Sequence, residues 1–396
     1  MYAWRARSVT RDAGVPTDLG RPHGKFDSSE HQQSVRIPRG KGLRPQCTDD
    51  LPESEIGMQA IVTDGTGDVW AEERERPTPN AGEVLVRVRA VGICGSDLGL
   101  IRGEGPPWAN WPIVPGHEVC AEVVEVGERV DDLSVGDRVV QHGFVYCGTC
   151  EACRDGRYYQ CDEVQEIGFT VDGGYREFEA LPACTVMPLP DDISDVEATQ
   201  IDSAGCTLHA LQRVQTGFSD NGAVLGPGAL GLFGVQLLER QGVDDVILTG
   251  TREERLAAGA DLGADFTVNV RETNPVDAID DYTDGEGVDV SIEAAGAGDV
   301  VNTALEIAAN QGDVVLTGAF GEKKSIDPDH IVAKELNVVG GVTAANAVQP
   351  VIDLFRRGGL TADGIVTHEF ALDDYEEALD TVRERRDGVI KAVLRP

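Results

Sequence analysis

Apolar and polar residues recur along this chain with two different periods. From Met58 to about Ala180, short apolar segments are broken by Gly, Pro and Asp. Glu83-Val-Leu-Val-Arg-Val-Arg-Ala90 alternates strictly, so a strand there turns one face to a core and the other to water. Gln59–Thr63, Val119–Val126 and Asp137–Gln141 repeat the style. From about residue 213 the text changes to strands alternating with helix-length segments: Ala223–Leu225, Val246–Thr249, Val288–Ile292 and Asp313–Thr317. That rhythm predicts an α/β domain built on a parallel sheet.

The first strand of the second region runs into Gly226-Pro-Gly228-Ala229-Leu230-Gly231, a full G-x-G-x-x-G that opens an apolar helix from Leu230 to Glu239. Strand, glycine turn and helix together predict a dinucleotide site, with the pyrophosphate on the helix N-terminus. At the end of the next strand, an Asp or Glu reads the ribose 2′-hydroxyl in NAD sites. Here stand Gly250, Thr251 and Arg252. No carboxylate opposes a 2′-phosphate and Arg252 could pair with one, which favours NADP over NAD, although Glu253 and Glu254 lie close by.

Cys147, Cys150, Cys153 and Cys161 fall within fifteen residues. Four thiolates at that spacing suit a closed tetrahedral zinc site with no position left for chemistry. Disulfides and an iron–sulfur cluster compete. The bacterial cluster run, however, places its fourth cysteine after three residues and before proline, whereas here seven intervene and Asp162 follows. A second constellation, Cys94 with His117 and Glu118, offers the donor types of a zinc site with an open position. Spacing alone does not bring Cys94 and His117 together.

Composition narrows the function classes. The 396 residues suffice for two domains. No apolar run reaches membrane-spanning length, and the N-terminus lacks a signal-peptide core, so a cytoplasmic protein is expected. A net charge of −35, from 69 acids against 34 bases, argues against nucleic-acid or membrane partners. The acids are spread through the chain and only six bases are lysine, as expected of a halophilic protein. Residues 1–57 differ: they carry nine bases and eight acids and show no sustained period. They read as a disordered extension or, preferably, as an artefact of gene calling with Met58 as the true start.

Residues 58–396 resemble the zinc-dependent medium-chain dehydrogenase/reductase superfamily, the alcohol, polyol, threonine and glucose dehydrogenase group. The resemblance rests on Gly-Ile-Cys94-Gly-Ser-Asp97, Gly116-His-Glu118, Val135–Val139, the cysteine lobe, Asp172–Glu177, the glycine fingerprint and Phe370–Ala378. It implies a GroES-like β-barrel catalytic domain over 58–212, completed by 345–396, and a Rossmann domain over 213–344. It implies two zinc ions per chain, one structural and one catalytic, and a homodimer or homotetramer. Cys94 and His117 would hold the catalytic zinc, with Glu118 bound directly or intermittently. Asp97 would orient His117, and Ser96 would bond the substrate hydroxyl and relay its proton. Asp202 falls where polyol-type members carry a glutamate ligand, Ser203 where alcohol-dehydrogenase types carry cysteine, and Cys206 is the alternative. Gly99 replaces a relay histidine. Trp108 and Trp111 are candidates for the substrate pocket. The implied activity is hydride transfer between a secondary alcohol, polyol or sugar hydroxyl and NAD(P). The alternative is a protein of this fold that binds NAD(P) without that activity.

Overall fold

The computed structural model describes residues 57–396 except Pro107 and Glu322, with the side chain of Ala345 also left aside. The expectation for residues 1–57 therefore falls, but for Gly57, outside the described residues. No helix among them is long and apolar enough to cross a membrane.

The α/β rhythm produces a six-stranded, wholly parallel sheet. Its order is Phe266–Asn269, Asp245–Gly250, Asn221–Leu225, Val288–Glu293, Ala308–Leu316, Asn337–Gly340. In sequence terms this is 3-2-1-4-5-6, the order of a doubly wound dinucleotide-binding sheet. The central strands are buried on both faces: Ala223, Val224, Ile247, Leu248, Val290 and Ile292 are almost wholly inaccessible. Continuous apolar runs are what such a position demands. The two edge strands escape the pattern because they are short and mix polar with apolar residues, as an edge with one solvated side permits.

The alternating region forms the second sheet. Its order is Val366–Ala371, Lys391–Arg395, Glu83–Ile93, Glu118–Val126, Arg138–Gln141, Val186–Pro188, with Phe178–Pro182 also paired to Glu83–Ile93. The C-terminal strand Lys391–Arg395 thus lies antiparallel to the long strand that leads into Cys94. Helix Ile201–Leu211 joins the two halves. Its Ile201, Ala204, Leu208 and Leu211 share one core with Val224, Leu232 and Phe233 of the parallel half and with Ala90, Cys120 and Val393 of the other. Burial of each large aliphatic side chain contributes roughly 1.5–3 kcal/mol, which fixes this helix against both sheets.

Candidate metal and cofactor site

Strand Glu83–Ile93 ends beside the start of strand Glu118–Val126, with Gly92 opposite Glu118. That register brings Cys94 and His117, far apart in sequence, to the same edge. Donor atoms of Cys94, His117 and Glu118 lie within 4.8 Å of one another. Glu118 Oε2 is buried and has no hydrogen-bond partner. Gly92 makes room for it, since a Cβ there would sit 2.0 Å from that oxygen. A thiol, an imidazole and an orphaned carboxylate oxygen converging on one point fit a divalent cation of the zinc type.

One carboxylate holds both neighbours in place. Asp97, fully buried, accepts the Cys94 backbone N–H at 2.8 Å through Oδ2 and so caps helix Gly95–Ile101. The buried Tyr175 hydroxyl donates to the same oxygen at 3.0 Å. Oδ1 lies 3.2 Å from His117 Nδ1, close enough for electrostatic pairing although the angle falls short of a hydrogen bond. Burial opposes the Asp97 charge, but His117, the Cys94 N–H and Tyr175 outweigh it and keep its pKa below the usual carboxylate value. With Nδ1 turned to Asp97, Nε2 is the ring nitrogen left to meet a cation. Ser96 stands half-buried in the first turn of the same helix.

Glu118 Oε1 is engaged from the other side. The Lys391 Nζ lies 2.5 Å away and the Ser203 hydroxyl donates at 3.1 Å. Lys391 is only 5 % exposed and Glu118 1 %. Sequence reasoning missed Lys391, yet a signal existed: one of the chain's six lysines opens the apolar strand Lys391-Ala-Val-Leu394. Tyr175 was also missed as a contributor, although it lies within a stretch that carried the resemblance.

Asp202 and Cys206 sit on helix Ile201–Leu211, facing the same region, with Cys206 Sγ 3.9 Å from Asp202 Oδ2. Neither joins the atoms that approach one another within 4.8 Å. Burial drives the Asp202 carboxyl up to about 6, with His117 opposing and Glu118 adding to the rise. Burial raises the pKa of the half-buried Glu166 against an opposing pull from Trp108, and the Phe169 ring lies 5.2 Å from that of His117. Trp108 is 55 % exposed, and the Trp111 ring packs near Gly65.

Sulfur atoms of Cys147, Cys150, Cys153 and Cys161 also lie within 4.8 Å of one another. None is in a disulfide. Backbone N–H groups point at the sulfurs: Thr149 and Cys150 at Cys147, each 3.4 Å, and Glu163 at Cys161, 3.3 Å. The Thr149 N–H and hydroxyl, with the Cys150 N–H, push the Cys147 thiol down to about 6, toward the thiolate a metal requires.

The glycine loop has the geometry of a phosphate cradle. Gly228 caps helix Ala229–Gln241 without a side chain, so its first N–H groups stay available. A Cβ on Gly231 would lie 1.9 Å from the Gly226 carbonyl, which only glycine avoids. The Gly226 N–H donates to the Thr249 carbonyl at 3.0 Å, setting the loop against the segment Gly250-Thr251-Arg252.

Comparison with known proteins agrees with this geometry. Residues 80–191 match the family model described as alcohol dehydrogenase GroES-like domain, and residues 229–357 that described as zinc-binding dehydrogenase. An L-threonine 3-dehydrogenase from Pyrococcus furiosus is 34 % identical over 333 residues, spanning 82 % of this chain and 94 % of its own. A sorbitol dehydrogenase from Halalkalibacterium halodurans is 30 % identical, spanning 86 % and 99 %. The crystal structure of a zinc-binding dehydrogenase from Sinorhizobium meliloti 1021 bound to NADP superposes with a TM-score of 0.81 at 30 % identity. It spans 86 % of this chain and all of its own.

Proposed function

The chain belongs to the zinc-dependent medium-chain dehydrogenase/reductase superfamily, and on that footing we propose how its residues divide the work. It is a zinc-dependent NAD(P) dehydrogenase of the alcohol and polyol type. The observation that carries this reading is the convergence of Cys94, His117 and the unpartnered Glu118 oxygen in a chain that also carries the glycine cradle. Zinc bound there supplies a Lewis acid that lowers the pKa of a substrate alcohol.

The rest is done by side chains. Cys94 and His117 bind the catalytic metal, Asp97 fixes His117, and Glu118 contributes Oε2 while Lys391 and Ser203 hold Oε1. Asp202, which feels the charges of both His117 and Glu118, serves as an occasional or direct ligand. Ser96 bonds the substrate hydroxyl and passes its proton toward cofactor ribose and water, since Gly99 offers no side-chain relay. Cys147, Cys150, Cys153 and Cys161 hold a second, structural zinc. Residues 58–212 and 345–396 form the catalytic domain and 213–344 the cofactor domain, with substrate taken up between them.

The substrate class is a secondary alcohol within a polyol, sugar or amino-alcohol frame. NADP is preferred to NAD because Gly250, Thr251 and Arg252 replace the acidic ribose reader. The protein works as a homodimer or homotetramer in a salt-rich cytoplasm, in keeping with its charge of −35. The deciding experiment is a panel of alcohols, polyols, sugars and L-threonine assayed with NADP and NAD in high salt. A lower KM for NAD than for NADP refutes the cofactor preference. Absence of turnover across the panel, with zinc bound, refutes the substrate class.

A further inference from the structure

Arg252, Arg255 and Arg385 come together at the end of strand Asp245–Gly250, in a protein whose acids outnumber its bases 69 to 34. Arg252 Nη1 donates to the Arg385 carbonyl at 3.2 Å, and Arg255 Nη2 donates to the Val389 carbonyl. Arg255 Nε is buried with no partner. Burial, then Arg252 and Arg385, push the Arg255 pKa down to about 10, against a weaker pull from Glu254. The positive charges of Arg252 and Arg385 thus both weigh on Arg255.

Their neighbours behave differently. Arg383 pairs with Asp380, and Arg386 lies 2.6 Å from Glu384. Among the described residues no carboxylate comes within ion-pair distance of Arg252, Arg255 or Arg385. Like charges held together without counter-ions, in a chain so rich in carboxylates, are arranged for an anion that arrives from outside. Arg385 closes helix Tyr375–Glu384, just ahead of strand Lys391–Arg395 in the other, seven-stranded sheet. Arg252 and Arg255 belong to the parallel half, next to the glycine loop. The cluster therefore spans the two halves at the carboxyl end of the second parallel strand, where the adenosine ribose lies in such sheets.

We propose that Arg385, with Arg252 and Arg255, forms a three-guanidinium site for the 2′-phosphate of NADP, so that the cofactor fastens the C-terminal loop to the dinucleotide-binding sheet. This rests on the NADP preference given above and goes beyond it by assigning a determinant from the opposite half. A dianionic phosphate presents three acceptor oxygens, which planar guanidinium forks match better than ammonium groups do.

The test is calorimetric binding of 2′,5′-ADP and ADP to the full chain at one fixed salt concentration, comparing wild type, Arg385→Gln and Arg252→Gln. Arg385 is exposed, so its replacement spares the core. Wild type is expected to bind 2′,5′-ADP at least about tenfold more tightly than ADP. Arg385→Gln should cut that ratio by about tenfold while ADP affinity and Tm hold, the loss expected for one charge-assisted contact. If Arg252→Gln loses the ratio and Arg385→Gln keeps it, the cross-sheet assignment is overturned and the NADP preference stands. If wild type binds ADP as tightly as 2′,5′-ADP, the NADP preference itself falls, and the cluster assignment with it.

Discussion

Lys391 Nζ lies 2.5 Å from Glu118 Oε1, in a pair sealed from solvent between the C-terminal strand and the metal edge. Such a pair contributes little against an apolar replacement of both partners, but breaking it from one side strands a buried charge. Lys391→Met is therefore expected to lower unfolding free energy by about 3 to 5 kcal/mol. Adding Glu118→Gln to Lys391→Met should recover much of that loss. Urea denaturation of both single variants and the double variant measures the coupling. A loss below about 1 kcal/mol in Lys391→Met would show that water or the metal already compensates Glu118.

Much of this was legible in the sequence, and the gaps have physical reasons. The parallel sheet and glycine loop were readable because buried strands and phosphate turns leave apolar runs and glycines in fixed order. The donor types at Cys94, His117 and Glu118 were readable too. Their convergence was not, because it depends on the pairing of Gly92 with Glu118. Lys391 lay hidden for the same reason: only antiparallel pairing of the last strand with Glu83–Ile93 carries it to Glu118. Arg385 comes beside Arg252 through a loop contact that no sequence period encodes.

Asp97 joins two tasks, capping the helix that follows Cys94 and facing His117. Asp97→Asn keeps the shape and can still accept from the Cys94 N–H, but it loses the charge that favours the His117 orientation. Metal affinity should fall by about 10- to 100-fold, as when the carboxylate partner of a ligating histidine is removed. Competition with a chelator, followed by metal analysis, reads this directly. Unchanged affinity would assign Asp97 to helix capping alone.

Glu179 is fully buried, and Arg176 Nη2 at 3.3 Å from Oε1 completes no hydrogen bond to it. Burial lifts its pKa from an ordinary 4.5 to about 7, with Arg176 opposing. Between those values the folded chain holds a proton that the unfolded chain has released, so this group lowers stability as pH rises through the window. Glu179→Gln removes the dependence. The stability of the variant relative to wild type should climb by on the order of 3 kcal/mol between pH 4.5 and pH values above 7. Denaturation curves at several pH values test it, and a constant difference would contradict the assignment.

The two metal clusters are expected to separate under mutation. Cys94→Ser should leave one zinc per chain, abolish turnover and retain the fold, because the open site lies at an edge between folded elements. Cys150→Ser should remove the other zinc and lower Tm, since the segment from Cys147 to Cys161 contains only short helices and little buried apolar surface. Metal content and melting curves on both variants decide it. Equal folding defects in the two would argue against the division between catalytic and structural sites.

A net charge of −35 gives the last expectation. Carboxylates spread over the surface repel one another, and dilute buffer does little to screen them: the Debye length is about 10 Å at 0.1 M salt and about 3 Å at 1 M. Raising potassium chloride through that range should raise Tm, with most of the gain complete where screening becomes short-ranged. Repulsion of this kind depends on ionic strength more than on which monovalent cation is present, so sodium and potassium should act alike to first order. Full stability in dilute buffer, with no further rise toward molar salt, would show that the acidic surface is merely tolerated.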